Sequence, residues 1–143
     1  MGTSVSASVS ASVSTTGSEW VVEAYGCDPV RLAAPASLRA LFDAIVRELA
    51  LHPVGDAAWH QFPEPGGITG MLMLAESHLT VHTFPEHTSA CLNLFCCTPR
   101  EPWAWDVRLA ELLGAQTVRV RQLTREYATM PMVATSGSPA GIR

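Results

Sequence analysis

The 143-residue sequence contains no lysine, and its nine lysine-or-arginine positions are all arginine. Without a lysine ε-amine, the chain forms no internal Schiff base with pyridoxal phosphate and has no lysine nucleophile. Carbonyl chemistry on an amine would therefore need a carbonyl group from another source.

Charge is also scarce, and this excludes some classes of partner. Charged residues make up 15% of the chain and the net charge is −4, with no basic stripe, so we expect no nucleic-acid partner. No apolar run is long enough to cross a bilayer, so we expect no membrane partner. The N-terminus lacks the basic flank and apolar stretch of a signal peptide, which predicts a cytoplasmic protein.

The cysteines are few, and their spacing is not typical of a metal site. Because the chain lacks an export signal, we expect no disulfide framework. It also lacks a Cys-x-x-Cys pair, the spacing that is typical of a zinc site. The adjacent pair would point to opposite faces of an extended strand. We interpret three of the four, Cys27, Cys91 and Cys96, as buried small hydrophobic residues. This interpretation does not extend to Cys97.

Low-complexity segments at both ends bound a single domain. Residues 1–17 are mostly serine, valine and alanine, whose small side chains bury too little surface to offset the entropy of ordering. We therefore predict a flexible tail over 1–17, a working domain over 18–134 and a loose tail over 135–143. The hydrophobic fraction of 48% is sufficient for one core.

Periodicity within this domain predicts six strands and two helices. Apolar residues at three- and four-residue steps predict a helix capped by Ser37 and ending near Leu51, and a second helix from Pro102 to Gly114. The predicted strands cover residues 19–25, 57–62, 68–75, 79–84, 89–97 and 117–123.

The order of these elements predicts an α+β fold, in which an antiparallel sheet carries both helices on one face. The strand at 68–75 is apolar at successive positions, which is typical of a strand covered on both faces. Because the helices suffice for only one face, this pattern indicates dimerisation through the other face of the sheet.

The densest group of reactive side chains lies in residues 75–86, whose sequence is AESHLTVHTFPE. If residues 85–88 form a hairpin turn, Ser77 lies across from Cys96 or Cys97. Neighbouring strands are about 4.8 Å apart, so a serine, a thiol and a histidine five residues further on could share one small volume.

Two simpler interpretations of the same residues remain open at this point. Half-buried histidines on one face of a strand are common without a function. A zinc site is the other alternative, with His87 or a cysteine as a further ligand. However, His78 and His82 would lie about 13 Å apart on a strand, too far to share one ion.

The ordered motifs resemble the prokaryotic S-adenosylmethionine decarboxylase proenzyme family. Residues 75–86 resemble its self-processing site, and further matches are Glu-x-Tyr-Gly-Cys-Asp at 23–28, Gly-x-Thr-Gly at 67–70 and Phe-Cys-Cys at 95–97. The resemblance implies a pyruvoyl-dependent decarboxylase that acts on S-adenosylmethionine in spermidine biosynthesis. It also implies a homodimer of cleaved protomers, with neither pyridoxal phosphate nor a metal.

The resemblance implies a role for each matching residue. Cleavage would fall between Glu76 and Ser77, with residue 77 converted to the pyruvoyl group that forms the Schiff base with the substrate. His82 matches the processing histidine, Thr69 an assisting hydroxyl, and Cys97 the proton donor of the decarboxylation.

The matches to the substrate pocket are Phe62 and Phe84, which correspond to aromatic residues that hold the adenine, and Glu86, which corresponds to the carboxylate that binds the ribose. The pattern departs from the family in the residues around this pocket, namely Trp20, Asn93, His87-Thr88, Thr98 and the length of 61–67. These departures leave open the same chemistry on ornithine or arginine. A non-processing regulatory homologue is a third possibility, although the set of serine, histidine and cysteine argues against it.

Overall fold

The computed structural model describes residues 14–128, so residues 1–13 and 129–143, which include most of the predicted tails, lie outside the described residues. The elements, in chain order, are β1 (Thr16–Tyr25), α1 (Pro29–Leu32), α2 (Pro35–Glu48), β2 (Ala58–Gln61), β3 (Ile68–Leu74), β4 (Ser77–Phe84), a 3₁₀ turn (Pro85–His87), β5 (Ser89–Cys96), α3 (Trp105–Leu113) and β6 (Thr117–Glu126).

All six strands in the described range form one antiparallel sheet in the order β2-β3-β4-β5-β1-β6. Two consecutive hairpins place β3, β4 and β5 side by side, while β1 lies between β5 and β6. Strand β4, which begins at Ser77, is therefore interior to the sheet and pairs along both of its edges.

The hydrophobic core fills the space between one face of this sheet and the helices. Alternate side chains of the strands, such as Trp20, Leu79 and Leu94, are buried against helical residues such as Leu38 and Leu109. Alternation places every second strand residue on the same face, which is why one face of the sheet carries the core. The predicted two-layer α+β fold is confirmed.

The opposite face of the sheet, which we call the outer face, is not covered by the helices of residues 14–128. Met71 and Met73 on β3 are 57% and 59% exposed there. Within one chain β3 is therefore covered on one face only, as expected if the helices suffice for one face, and its coverage by a second chain stays a prediction. Its continuous apolar sequence arises because methionines occupy the outward positions between buried residues.

The helices begin and end differently from the prediction. Helix α2 starts at Pro35, whose missing N–H suits the first turn, and Ser37 lies inside this helix rather than capping it. The last helical residue is Glu48, not Leu51. Helix α3 begins at Trp105 and ends at a left-handed Gly114, as predicted for its C-terminus.

Strand β1 begins at Thr16, three residues before the predicted start and inside the segment predicted to be a tail. Gly17 explains how the strand continues there. A Cβ atom at this position would lie 2.4 Å from the carbonyl oxygen of Cys96, so only glycine lets β1 approach the end of β5 this closely. The short helix α1, capped by the Asp28 carboxylate on the N–H of Val30, was not predicted.

Candidate functional site

The tightest turn of the site joins β3 to β4 through two residues, Ala75 and Glu76. Leu74 pairs with Ser77 on either side of this turn. Ser77 has a φ of +152°, a backbone conformation that side-chain-bearing residues rarely adopt. Such strain persists only where neighbouring contacts enforce it, and it concentrates at functional sites.

Strand β5 supports this turn from its other side. Ser77 lies directly across from Cys96, which confirms one of the two predicted registers. One residue further on, the backbone N–H of Cys97 donates a hydrogen bond of 2.7 Å to the carbonyl oxygen of Glu76. The carbonyl that precedes Ser77 is therefore polarised by a fixed donor, in the manner of an oxyanion site.

The adjacent cysteines differ in environment because they lie on opposite faces of the sheet. Cys96 is fully buried among core residues, and this burial raises the pKa of its thiol to about 11. Cys97 is only partly buried. Of the other two, Cys27 is buried as predicted, but Cys91 is exposed because it lies at an outward position of β5, so that prediction was wrong.

The side chain of Glu76 has partners that sequence reasoning missed. Its carboxylate is 7% exposed and accepts hydrogen bonds from the main chain and the ring of His52 and from the guanidinium of Arg100. Both partners are 24 residues away along the chain, and neither belongs to a recognisable motif. No sequence signal could have identified them.

A second group of candidate residues lies at the far end of β4. Thr69 and His82 are directly opposed on β3 and β4, and the Thr69 hydroxyl lies 2.6 Å from Nδ1 of His82. The rings of Phe62 and Phe84 both lie near the imidazole, with centroids 5.7 and 4.5 Å from it. Sequence positions far apart thus form one continuous aromatic row.

This aromatic row borders a cavity of about 420 Å³, whose wall also includes Glu86. All three predicted substrate-binding residues therefore meet at one cavity. A slightly larger cavity of about 480 Å³ lies between α2 and β2 and contains none of the predicted site residues.

The two groups lie apart within one chain. Ser77 and His82 are five residues apart on an extended strand, which corresponds to about 17 Å. The expectation that serine, thiol and histidine share one volume is wrong for a single chain, since a regular strand keeps residues at this spacing apart. Serine and thiol meet at the β3–β4 turn, while histidine and the aromatic residues meet at the other end.

The remaining histidine of the motif has a separate environment. Nε2 of His78 lies 2.8 Å from the amide oxygen of Asn93, and the amide nitrogen of Asn93 donates to Glu19. His78 and His82 thus have different partners on the outer face. Among residues 14–128, no group of three histidine, cysteine or carboxylate side chains is arranged to hold a metal ion.

Comparison with known proteins places the chain in a family. A sequence model of the S-adenosylmethionine decarboxylase family matches residues 18–126. The chain belongs to this family. It is 36% identical over 112 residues to the S-adenosylmethionine decarboxylase proenzyme of Geobacillus kaustophilus, covering 78% of this chain and 88% of that protein.

A further relative supports the assignment, and a solved structure shares the fold. The S-adenosylmethionine decarboxylase proenzyme of Caldicellulosiruptor saccharolyticus is 33% identical over 120 residues, covering 81% of this chain and 93% of that protein. The crystal structure of the adenosylmethionine decarboxylase from Aquifex aeolicus has the same fold, with a TM-score of 0.65 and 24% identity over 84% of this chain and 97% of that one. Within the described range, no helix is long and apolar enough to span a membrane.

The structure gives a physical context for three departures from the family pattern. Trp20 belongs to the core and not to the site, since it is 1% exposed. Thr88 has a left-handed φ of +49°, a conformation that favours glycine. Asn93 connects His78 to Glu19 on the outer face.

The contrast between the adjacent cysteines is testable by alkylation. In native protein at pH 8, we expect iodoacetamide to label Cys97 and leave Cys96 unmodified, because Cys96 is buried and has a raised pKa. Peptide mass spectrometry after quenching measures each site, and labelling in urea is the control for intrinsic reactivity. Equal native labelling of both would contradict the assigned faces.

Proposed function

We propose that the chain is a pyruvoyl-dependent S-adenosylmethionine decarboxylase that activates itself by cleavage between Glu76 and Ser77. One observation carries this proposal: the strained Ser77 follows a carbonyl group that already accepts a hydrogen bond from the N–H of Cys97. Both features favour an acyl shift, because backbone strain raises the energy of the intact peptide and a polarised carbonyl is more readily attacked.

The proposed cleavage begins when the Ser77 hydroxyl attacks the carbonyl carbon of Glu76. The new C–O bond replaces the peptide C–N bond, and the Cys97 N–H stabilises the oxyanion that forms in between. β-Elimination then removes the α-proton of residue 77 and expels the main-chain α-carboxylate of Glu76, which becomes the C-terminus of fragment 1–76. The dehydroalanine at residue 77 tautomerises to an imine. Water then hydrolyses this imine to the pyruvoyl group and releases ammonia.

The pyruvoyl carbonyl supplies the electron sink that a chain without lysine cannot obtain through pyridoxal phosphate. The residues around it account for the remaining steps. Cys97, which is partly exposed and whose N–H binds the carbonyl just before residue 77, is the proposed proton donor to the product carbon. Cys96 is a poor candidate because burial raises the pKa of its thiol to about 11 and its side chain lies in the core.

The proposed substrate pocket is the cavity beside His82. Phe62 and Phe84 present flat aromatic surfaces suited to adenine and to attraction of a sulfonium cation. Glu86, exposed in the 3₁₀ turn after β4, is the proposed acceptor for the ribose hydroxyls. Thr69 holds the His82 imidazole through a hydrogen bond to Nδ1.

The distance between Ser77 and His82 supports a dimeric active site. We propose that two copies pack through their outer faces about a two-fold axis, so that their β4 strands run in opposite directions. This packing brings the Ser77 end of one strand over the His82 end of the other. The exposed Met71 and Met73 would be buried by this contact. The proposed functional unit is therefore a homodimer in which each active site uses residues of both chains.

Self-cleavage is the first consequence to test. Purified protein should separate into fragments 1–76 and 77–143, the second with a blocked N-terminus and a mass shift on borohydride reduction, because the pyruvoyl group replaces the amine. Ser77→Ala should remain one chain, since it lacks the attacking oxygen. Intact-mass spectrometry measures both. Wild-type protein that stays intact after prolonged incubation would overturn the proposal in favour of a non-processing homologue.

A mixing experiment tests the shared site. Ser77→Ala and His82→Ala chains should each remain uncleaved alone, but co-expression should restore cleavage of the His82→Ala chain, because its Ser77 meets the intact His82 of its partner. Differently tagged chains on a denaturing gel identify which one is cut. Co-purified chains without any cleavage would show that both residues act within one chain.

Substrate choice is tested by carbon dioxide release. S-adenosylmethionine should be decarboxylated faster than ornithine or arginine, since only it offers an adenine to the aromatic pair. Phe84→Ala should raise KM more than it lowers kcat, because stacking acts in the ground and transition states alike. Faster release from ornithine or arginine would instead favour the alternative substrates.

A further inference from the structure

Among residues 14–128, the side-chain carboxylate of Glu76 is the buried acid next to the proposed cleavage point, yet none of the steps above uses it. It is 7% exposed and meets one cationic side chain, Arg100, whose Nη2 lies 3.2 Å from Oε1. His52 approaches the same carboxylate with its ring and its main chain. A buried carboxylate needs such partners, because its desolvation would otherwise be costly.

His52 also lies against the turn through its backbone. Its N–H donates to Oε2 of Glu76 at 3.1 Å, and its carbonyl accepts from the N–H of Ala75 at 2.8 Å. The next residues continue this contact, since Pro53 bridges to Leu74. Residues 52 and 53 therefore run beside the β3–β4 turn on the side away from β5.

Arg100 approaches from a different part of the chain, four residues after the end of β5. Its side chain is 29% exposed, so its contact with the carboxylate is partly shielded from water and is correspondingly stronger. Burial acts to raise the pKa of Glu76, but hydrogen bonds from the His52 side chain and main chain outweigh it and hold the pKa below its ordinary value. The carboxylate is thus charged at neutral pH.

These contacts restrain Glu76 from two directions. Its carboxylate is held by His52 and Arg100, while its carbonyl oxygen is held by the N–H of Cys97. A residue restrained at both its side chain and its carbonyl has little freedom to rotate. The peptide group between Glu76 and Ser77 is therefore held in a fixed orientation as well. Contacts of this kind are what maintain a strained backbone angle.

We propose that His52 and Arg100 are positioning residues for self-cleavage, which hold the Glu76 carboxylate so that its carbonyl stays on the Cys97 N–H and within reach of Ser77. We name this pair the Glu76 clamp. The inference rests on the proposed self-cleavage, but neither residue belongs to the motifs that indicated it. After cleavage the clamp has no role in decarboxylation, so the two activities should respond differently to its loss.

The test follows cleavage in a cell-free translation, where newly made chains are pulse-labelled and the fraction cut is measured over time. Arg100→Gln should lengthen the half-time for cleavage by about tenfold, and Arg100→Lys should recover part of the rate because it keeps the charge. Once each variant is fully cut, turnover per borohydride-titrated pyruvoyl group should stay within about twofold of wild type. Arg47→Gln, at an exposed arginine of α2, is the matched control and should cleave normally.

Two further variants connect the effect to the carboxylate itself. His52→Gln should slow cleavage less than Arg100→Gln, because its backbone contacts remain. Glu76→Gln should slow cleavage, and adding Arg100→Gln to it should cause little further loss, since the shared interaction is already gone. Additive losses in this double-mutant cycle would overturn the clamp.

The outcomes separate this inference from the proposed function. If wild-type protein fails to cleave itself, the proposed function is wrong. If wild-type protein cleaves and the Arg100 and His52 variants do so at the wild-type rate, only the clamp is wrong. Parallel losses of cleavage, turnover and urea resistance in Arg100→Gln and Arg100→Lys would identify a merely structural ion pair and would also overturn it.

Discussion

The hydrogen bond from the Cys97 N–H to the Glu76 carbonyl depends on a single register, that of β4 against β5. A shift of one residue would move this donor away from the carbonyl and turn Cys96 and Cys97 to the opposite faces of the sheet. The core enforces the register, because Leu79, Val81 and the inward residues of β5 must all face the helices. The hydrophobic core thus sets the geometry of the proposed chemistry.

Strand β4 also separates the candidate residues into two groups. The β3–β4 turn lies at its start and the Thr69–His82 pair lies near its end, so under the proposed function one chain carries two incomplete halves of a site. An outer face with exposed methionines offers a surface through which two chains could complete each other. In this view, the motif is compact in sequence but divided in space.

Several features were predictable because they depend on local patterns. Alternating and helical periodicities indicated the sheet and both main helices, and Gly114 marked a helix end through its tolerance of a left-handed conformation. The β4–β5 hairpin was predicted to within one residue of its register, because a short turn relates the two strands directly. Boundaries were less accurate, as at β1, where Gly17 permits an approach that no local pattern reveals.

The sequence by itself determined the family, the candidate residues and the exclusion of lysine-based chemistry, since these follow from residue identity and order. Only the tertiary structure decided which of those residues meet. It brought Glu76 into contact with His52 and Arg100, each 24 residues away in sequence. It also kept Ser77 apart from His82, although only five residues separate them in sequence. The physical reason is that an extended strand keeps near neighbours in sequence apart, while sheet and loop packing bring distant segments together.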